Sequence, residues 1–196
     1  MTPEQLQRAT GCGRTVAVAF SGPITATIQR WGVKRAAEFV AQMAVESALF
    51  TRLEENLTYT TPERLMAVWP RRFLTAEAAQ PYVRNPQDLA NFVYSNRMGN
   101  TQYGDGWRFR GRGLKQLTGR NNYTDYQDAT GVRAVDSPDI LLDPVFAADS
   151  AGWFWQANGC DAVAGDVEAL TRRINGGLTG IEQRVALTDL ARGAFA

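Results

Sequence analysis

Residues 44–60 of this chain read AVESALFTRLEENLTYT and place one glutamate inside an apolar helical pattern, with two more glutamates shortly after it. Phe39, Met43, Glu46 and Phe50 follow one another at steps of four, three and four residues. This spacing puts side chains on one face of a helix. Glu46 therefore interrupts a row that the pattern predicts to face the core. The less specific interpretation is a helix-end glutamate that reaches solvent or pairs with a buried arginine.

Helix signals cover most of the chain. The helix that carries the stripe is expected to run from about Val33 to Phe50. Capping residues predict further helix starts at Thr2-Pro3, Thr61-Pro62, Asn85-Pro86, Asp143-Pro144 and Asp166.

A glycine-rich segment, residues 96–118, is predicted to form an irregular loop with a short hairpin. The fold class is therefore mainly α. We expect one catalytic domain over residues 1–196, in which residues 1–30 form a helical region that packs on or extends the core.

The composition excludes several kinds of chemistry. The chain has no histidine, which rules out Ser-His-Asp triads, Cys-His nucleophiles and His-ligated zinc. Its 20 Asp and Glu residues leave acid–base catalysis by carboxylates as the open route, with no metal or cofactor expected. The formal net charge of +1 gives no overall field that would attract nucleic acid.

A second carboxylate is available in the adjacent pair Glu54 and Glu55. If the helix ends near Phe50, the chain can fold back and bring one of them opposite Glu46. Inverting glycosidases need two carboxyl groups roughly 6.5–9.5 Å apart, with a water between them. The alternative is a solvated acidic pair without a catalytic role.

The run WRFRGRG, residues 107–113, alternates arginine with aromatic residues or glycine. In an extended chain Arg108, Arg110 and Arg112 would share one face. Such a face could line a sugar groove, buttress the acids, or bind single-stranded nucleic acid. The near-neutral net charge disfavours nucleic acid as a partner.

Cys12 and Cys160 lie far apart in the sequence, and two buried free thiols are favoured over a disulfide. Residues 15–28 are apolar but too short to cross a bilayer, which needs about 20 apolar residues. The N-terminus lacks the pattern of a secretory signal.

Seven motifs follow one another from about Val33 towards the C-terminus: AQMAVESALF, EENLTYT, WPRRF, NRMGN, DGWRFRGRGLKQLTGRNNY, DPVFAADSAGWFW and RRINGG. Together they resemble glycoside hydrolase family 19, and within it the lysozyme-like endolysins of bacteriophages. The resemblance implies a two-lobed lysozyme-like fold with a central substrate cleft. It also implies hydrolysis of β-1,4 bonds between N-acetylated sugars.

The resemblance assigns roles to individual residues. It places Glu46 as the general acid, Glu55 as the second carboxylate that activates water, and Thr118 as a residue that holds that water. Glu55 is favoured over Glu54 because it directly precedes the Asn-Leu-Thr-Tyr block, and the choice stays open. The expected substrate-binding residues are Gln116, Asn122, Tyr123, Tyr59, Arg112, Asn175 and Arg184.

Two positions depart from the family pattern. Val45 stands where the family usually has histidine before the catalytic glutamate, and Ala48 stands where it usually has glycine after the following serine. The resemblance implies cleavage of peptidoglycan between N-acetylmuramic acid and N-acetylglucosamine by an inverting two-carboxylate mechanism. The alternatives are a chitinase, a lytic transglycosylase that uses Glu46 alone, and a catalytically impaired glycan-binding protein.

The cellular expectations follow from the missing secretory signal and from the same resemblance. We expect a monomer, made in the cytoplasm of a bacterial host, that reaches the periplasm and cell wall at lysis. Peptidoglycan glycan strands are the expected partner, and nucleic acid and stable membrane insertion are not expected. Access to the wall would depend on a separate holin-like protein.

Overall fold

The computed structural model describes all 196 residues and is mainly helical with almost no strand, which confirms the predicted mainly α class. Short 3-10 turns cover Gln80–Tyr82, Pro138–Leu142 and Cys160–Ala162. The helices are α1 (Pro3–Thr10), α2 (Arg14–Trp31), α3 (Ala36–Glu46), α4 (Pro62–Val68), α5 (Ala76–Ala79), α6 (Pro86–Tyr94), α7 (Asp105–Arg108), α8 (Arg120–Thr130), α9 (Pro144–Ala157), α10 (Val167–Asn175) and α11 (Ile181–Phe195).

The predicted helix starts are confirmed in atomic detail. The side chains of Thr2, Thr61, Asn85, Asp143 and Asp166 each accept a hydrogen bond from a backbone N–H of the first helical turn. These bonds satisfy donors that have no partner within the helix. Apart from the short helix α7, the glycine-rich segment 96–118 is irregular, as its sequence indicates.

The chain divides into two compact units. The first unit contains Met1–Leu53, Arg112–Gln116 and Asp139–Ala196, and the second contains Glu54–Gly111 and Leu117–Pro138. Each unit has its own buried apolar cluster, which removes apolar side chains from water.

The core of the first unit is formed by α1, α2, α3, α9, α10 and α11. Helices α1 and α2 contribute Leu6 and Ile24, both fully buried, so residues 1–30 are part of this core. Phe39 of α3 packs edge-to-face against Trp155 of α9, with ring centroids 5.3 Å apart. Phe39 and Met43, the helical apolar members of the predicted stripe, are therefore buried, and they fix the face of α3 that carries Glu46.

The core of the second unit is smaller and aromatic. Phe73, Tyr82 and Phe92 contact one another, with ring centroids 4.8–5.4 Å apart. Gly106 of α7 lies so close to α6 that an added Cβ would be 2.3 Å from the carbonyl oxygen of Ala90. This close approach explains why α7 carries glycine at that position.

Helix α3 ends at Glu46, four residues earlier than the predicted end at Phe50. Ala48, Leu49 and Phe50 then have φ values of 49°, 58° and 66°, which lie in the left-handed region. Side chains disfavour this region, so a run of three such residues is uncommon. Phe50 is 2% exposed, and burial of its ring holds the turn in place. The turn separates Glu46 from the two later glutamates.

Both cysteines are free thiols and both are buried, in agreement with the favoured interpretation. Burial raises the pKa of the Cys160 thiol to about 11. None of the helices combines the length and the apolar character that a bilayer crossing requires.

The left-handed turn generates a prediction about stability. Replacing Ala48 by Gly removes a Cβ at a positive φ, so Ala48→Gly should raise the free energy of unfolding by about 1 kcal/mol. Ala186, which is likewise exposed but lies inside α11, is the matched control. Ala186→Gly should instead lower the free energy of unfolding by about 0.5–1 kcal/mol. Urea denaturation measures both, and a loss of stability in both variants would contradict the proposed strain.

Candidate active site

Glu46 is the last residue of α3 and lies in the first unit. Its side chain is 11% exposed and has two cationic partners. Arg184 Nη2 is 2.5 Å from Oε1, and Lys115 Nζ is 3.5 Å from Oε2. The core-facing pattern thus located a nearly buried carboxylate, and the less specific interpretation, a helix-end glutamate paired with a buried arginine, also describes it. It is paired with charge rather than surrounded by methyl groups.

Arg184 holds Glu46 in position through a set of buried contacts. Its side chain is 4% exposed and projects from α11. Its Nη1 donates to Oε1 of Gln42, and its Nε donates to the carbonyl of Thr179 at 3.1 Å. Gln42 lies one helical turn before Glu46, so one planar guanidinium binds two residues of the same face of α3.

Lys115 supplies the second positive charge near Glu46. Its ammonium group also lies 4.8 Å from the centroid of the Phe154 ring, and its side chain is 15% exposed. The segment Arg112–Gln116 that carries it is anchored by Gly113, whose N–H donates to the carbonyl of Leu53 at 2.8 Å. Neither Lys115 nor Gln42 was identified from the sequence. For Gln42, the available signal was its position four residues before Glu46 on the same helix.

Glu55 lies in the second unit, in a different electrostatic environment. Its Oε2 accepts a hydrogen bond from the Tyr94 hydroxyl at 2.7 Å, and its Oε1 accepts one from the backbone N–H of Gly111 at 2.6 Å. Both donors are neutral. Burial raises the pKa of Tyr94 well above its usual value, and the Glu55 carboxylate raises it further, so Tyr94 remains a donor throughout the working pH range.

Glu54, the other candidate for the second carboxylate, is paired with a full charge. Its Oε1 accepts from the Arg110 guanidinium. That guanidinium lies 3.8 Å from the centroid of the Trp107 ring and donates to the Trp107 carbonyl at 2.9 Å. Glu54 is thus part of an ion pair packed on an aromatic ring, whereas Glu55 has no cationic hydrogen-bond partner.

Both glutamates line a surface pocket of about 280 Å³ in the second unit. Asn56, Leu57, Thr58, Pro86 and Trp107 complete its lining. The pocket has an aromatic wall and carboxylate oxygens, the combination that binds the apolar face and the hydroxyl groups of a sugar ring.

The arginine run does not form the extended face that alternation suggested. Arg108 belongs to α7 and donates to the carbonyls of Val135 and Asp136. Arg112 is 2% exposed, and its Nη2 is 2.7 Å from Asp139 Oδ1. Each arginine, like Arg110, binds a different part of the protein. The prediction that the three arginines share one extended basic face is therefore wrong. Arg112, which was expected to contact substrate, is buried and paired with Asp139.

The remaining expected site residues occupy varied environments. Tyr123 is fully buried and donates to the carbonyl of Arg110 at 2.8 Å, which is a structural contact. Gln116 is half-buried, and its amide donates to the carbonyl of Gly113 at 2.9 Å. Asn122 donates to the backbone carbonyl of Thr118 at 2.7 Å, which ties the two residues together. Asn175, at the end of α10, is exposed.

Tyr59 lies half-buried in the second unit, on the same side as Glu55. Burial raises its pKa, and the Glu55 carboxylate adds to the rise while Arg64 opposes it. That Tyr59 contacts substrate stays a prediction. Tyr94, which contacts Glu55 directly, was not identified from the sequence because no local pattern connects it with a residue 39 positions earlier.

The acidic side chains are dispersed. No three His, Cys, Asp or Glu side chains are grouped so that they could bind a metal ion. The chemistry available to the site is proton transfer by carboxylates and hydrogen bonding by tyrosine, arginine and lysine.

Comparisons with known proteins were made by sequence and by structure. No family model matches the chain. A protein of Haemophilus influenzae described as a glycosyl hydrolase family 19 domain-containing protein is 38% identical over 171 residues, which cover 84% of this chain and 83% of that protein. Endochitinase 1 of Theobroma cacao is 35% identical over 95 residues, which cover 37% of this chain and 30% of that protein.

Solved structures support the fold. A bacterial family 19 chitinase gives a TM-score of 0.59 at 20% identity, covering 96% of this chain and 93% of that one. The class IV chitinase of Zea mays gives 0.54 at 19% identity, covering 99% and 81% of the two chains. The two likenesses place the helices described above in a known fold.

The contacts of Arg184 generate a prediction about stability. Arg184→Ala would leave the Gln42 amide oxygen without its donor and the Glu46 carboxylate with only Lys115. We expect the free energy of unfolding to fall by about 3 kcal/mol in urea denaturation. Arg14→Ala breaks an ion pair whose side chains are 66% and 56% exposed, and it should cost less than about 1 kcal/mol. Equal losses in the two variants would show that the buried network adds nothing.

Proposed function

Because this chain belongs to glycoside hydrolase family 19, we propose that it cleaves the β-1,4 bond between N-acetylmuramic acid and N-acetylglucosamine in peptidoglycan. The proposed mechanism is direct displacement with inversion of configuration. Glu46 protonates the leaving oxygen, and Glu55 removes a proton from the attacking water, which Thr118 holds. No metal or cofactor takes part.

The observation that carries the mechanism is the contrast between the partners of the two carboxylates. A general acid ends its step as a carboxylate, and Arg184 and Lys115 stabilise that negative charge on Glu46. A general base ends its step as a neutral carboxyl group. Glu55 can accept a proton without breaking an ion pair because its hydrogen-bond donors, Tyr94 and the Gly111 N–H, are neutral.

The same argument favours Glu55 over Glu54 as the base. Protonation of Glu54 would remove the negative partner of Arg110, whose guanidinium is held against Trp107. Glu54 is therefore proposed to position the Trp107 wall of the pocket rather than to move a proton.

The sequence departures are compatible with this proposal. Val45, at the position where the family usually has histidine, is half-buried, and its Cγ1 lies 3.6 Å from where a Cβ on Gly180 would be. It packs next to the start of α11, the helix that carries Arg184. The proton transfer that we propose uses Glu46 directly and needs no histidine.

A chitinase is the second candidate. The named structural relatives are chitinases, and part of the chain is similar to an endochitinase. Chitin and peptidoglycan share the β-1,4-linked N-acetylated backbone, so the acid and base would act in the same way on both. The two substrates differ in the lactyl and peptide groups that only peptidoglycan carries.

We also propose a cellular role in lysis of a bacterial host. The protein would act on glycan strands of the wall as a monomer, and a holin-like protein would give it access to them. This part of the proposal rests on the resemblance to phage endolysins, and the enzymatic proposal does not depend on it.

Replacement of single carboxylates tests the mechanism. Glu46→Gln and Glu55→Gln should each lower the rate of glycan cleavage about 10²–10⁴-fold, since each removes one proton-transfer group. Glu54→Gln is the matched comparison and should lower the rate far less, because it loosens the Trp107 wall without removing a proton-transfer group. Release of reducing ends measures the rates, and early products should carry the inverted α-anomer in NMR spectra.

Two outcomes would reject this mechanism. Early products with the β-anomer would show retention, and anhydromuramic ends in mass spectra would show a transglycosylase that works without Glu55. A wild-type protein that binds glycan strands and does not cleave them would instead be the catalytically impaired binding protein.

A comparison of substrates tests the choice of polymer. The wild-type protein should release reducing ends from purified peptidoglycan at a higher kcat/KM than from chitin oligomers of matched length. Glu46→Gln should be inactive on both, which shows that one site cleaves them. A higher kcat/KM on chitin oligomers would establish the chitinase instead.

A further inference from the structure

A second pocket of the second unit is lined by arginine and has no assigned role. It has a volume of about 540 Å³ and is lined by Val68, Trp69, Pro70, Arg71, Arg72 and Arg97. Three of the six side chains are cationic and none is acidic. We call this the arginine pocket.

Two of its arginines have no acidic partner within the protein. Arg71 and Arg97 are exposed and take part in none of the ion pairs of the structure. Arg72 differs, because it donates to the carbonyl of Val93 at 3.4 Å and lies 5.9 Å from the Phe92 ring centroid. Arg72 thus attaches the pocket to the core, while Arg71 and Arg97 present unneutralised charge to solvent.

The backbone positions of both exposed arginines are fixed. Arg71 lies in a turn closed by hydrogen bonds from the N–H groups of Arg72 and Phe73 to the carbonyl of Trp69, at 2.9 and 3.0 Å. Phe73 is 2% exposed and anchors that turn in the core of the second unit. A preorganised cation binds an anion with less loss of conformational entropy than a mobile one.

Arg97 lies in a turn with two left-handed residues, Asn96 and Met98, at φ values of 56° and 51°. Asn100 holds this turn. It is 2% exposed, its N–H donates to the Arg97 carbonyl at 2.9 Å, and its side chain donates to the Tyr94 carbonyl at 3.2 Å. Strain of this kind persists only where the surroundings hold it, and it is frequent at binding sites.

The arginine pocket lies beside the proposed general base. The Trp69 ring packs edge-to-face on Tyr59, with ring centroids 5.1 Å apart, and the Tyr59 hydroxyl interacts with the charge of Glu55. Arg97 is tied to the other neighbour of Glu55: its backbone N–H donates to the Tyr94 carbonyl at 3.3 Å, and the Tyr94 hydroxyl donates to Glu55 at 2.7 Å. A polymer held at Glu55 would therefore have the arginine pocket within reach of its substituents.

We propose that the arginine pocket binds the free carboxylates of the peptide stems of peptidoglycan. The planar guanidinium matches a carboxylate with two parallel hydrogen bonds, and Trp69 offers an apolar surface to the attached chain. Chitin has no such anion. The pocket thus provides a basis for preferring peptidoglycan, and the inference rests on the proposed function.

The test measures binding without cleavage. In a Glu46→Gln background, co-sedimentation with sacculi free of teichoic acid gives the affinity for peptidoglycan. Adding Arg71→Gln and Arg97→Gln together should weaken that affinity about tenfold at low salt. The matched control is Arg14→Gln with Arg133→Gln, which removes the same charge from two exposed arginines that have acidic partners. The control should bind as the parent does.

A chemical change in the polymer completes the test. Sacculi whose carboxylates have been converted into neutral amides with carbodiimide and ethanolamine should bind the parent as weakly as native sacculi bind the double variant. Equal binding of the parent to native and neutralised sacculi would overturn the proposal, as would equal weakening by the control pair. Tighter, Arg71- and Arg97-dependent binding to single-stranded oligonucleotides or anionic vesicles would overturn it in favour of another polymer.

The outcomes also separate this inference from the proposed function. If the wild-type protein does not cleave sacculi while the charge-dependent binding is found, the catalytic proposal fails and the pocket remains. If the wild-type protein cleaves native and neutralised sacculi with the same KM, the pocket proposal fails alone.

Discussion

The contacts of the Arg184 guanidinium hold Glu46, the proposed general acid of the first unit, in position. The guanidinium donates hydrogen bonds to Gln42 and Glu46, which lie one helical turn apart on α3. It donates a third to the carbonyl of Thr179, which precedes α11. A nearly buried carboxylate without a partner would cost several kcal/mol. The fork of Arg184 lets Glu46 stay in a core-facing row while its carboxylate keeps one defined orientation.

In the second unit, two adjacent glutamates have partners of different charge. Glu54 and Glu55 are adjacent in sequence, and an extended chain sends their side chains to opposite sides. One meets Arg110 and the other meets Tyr94 and the Gly111 N–H. The chain thus separates an acid held in an ion pair from an acid whose hydrogen-bond donors are neutral.

Local patterns in the sequence were enough for the helices and for Glu46. Caps such as Thr61 and Asp166 act within one turn, and the Phe39–Met43 spacing follows from helix geometry, so both were visible without a structure. The end of α3 at Glu46 could not be predicted from the sequence, since three left-handed residues with ordinary side chains have no sequence signature.

Partners distant in sequence were also beyond local patterns. Lys115 and Tyr94 reach the two carboxylates across long stretches of chain. The resemblance to a family supplied Arg184 and Glu55, which spacing alone could not. The arginine run shows the opposite failure, because alternation indicated an exposed strand where the structure has a short helix and separate buried or paired contacts.

The order of segments in the first unit has a consequence for how the protein matures. Glu46 and its main cation are 138 residues apart, and the second unit is encoded between them. During synthesis on the ribosome, Glu46 emerges long before the helix that will hold it. The acid therefore reaches its working arrangement only after nearly the whole polypeptide has left the exit tunnel, so a nascent or truncated chain carries an incomplete catalytic apparatus.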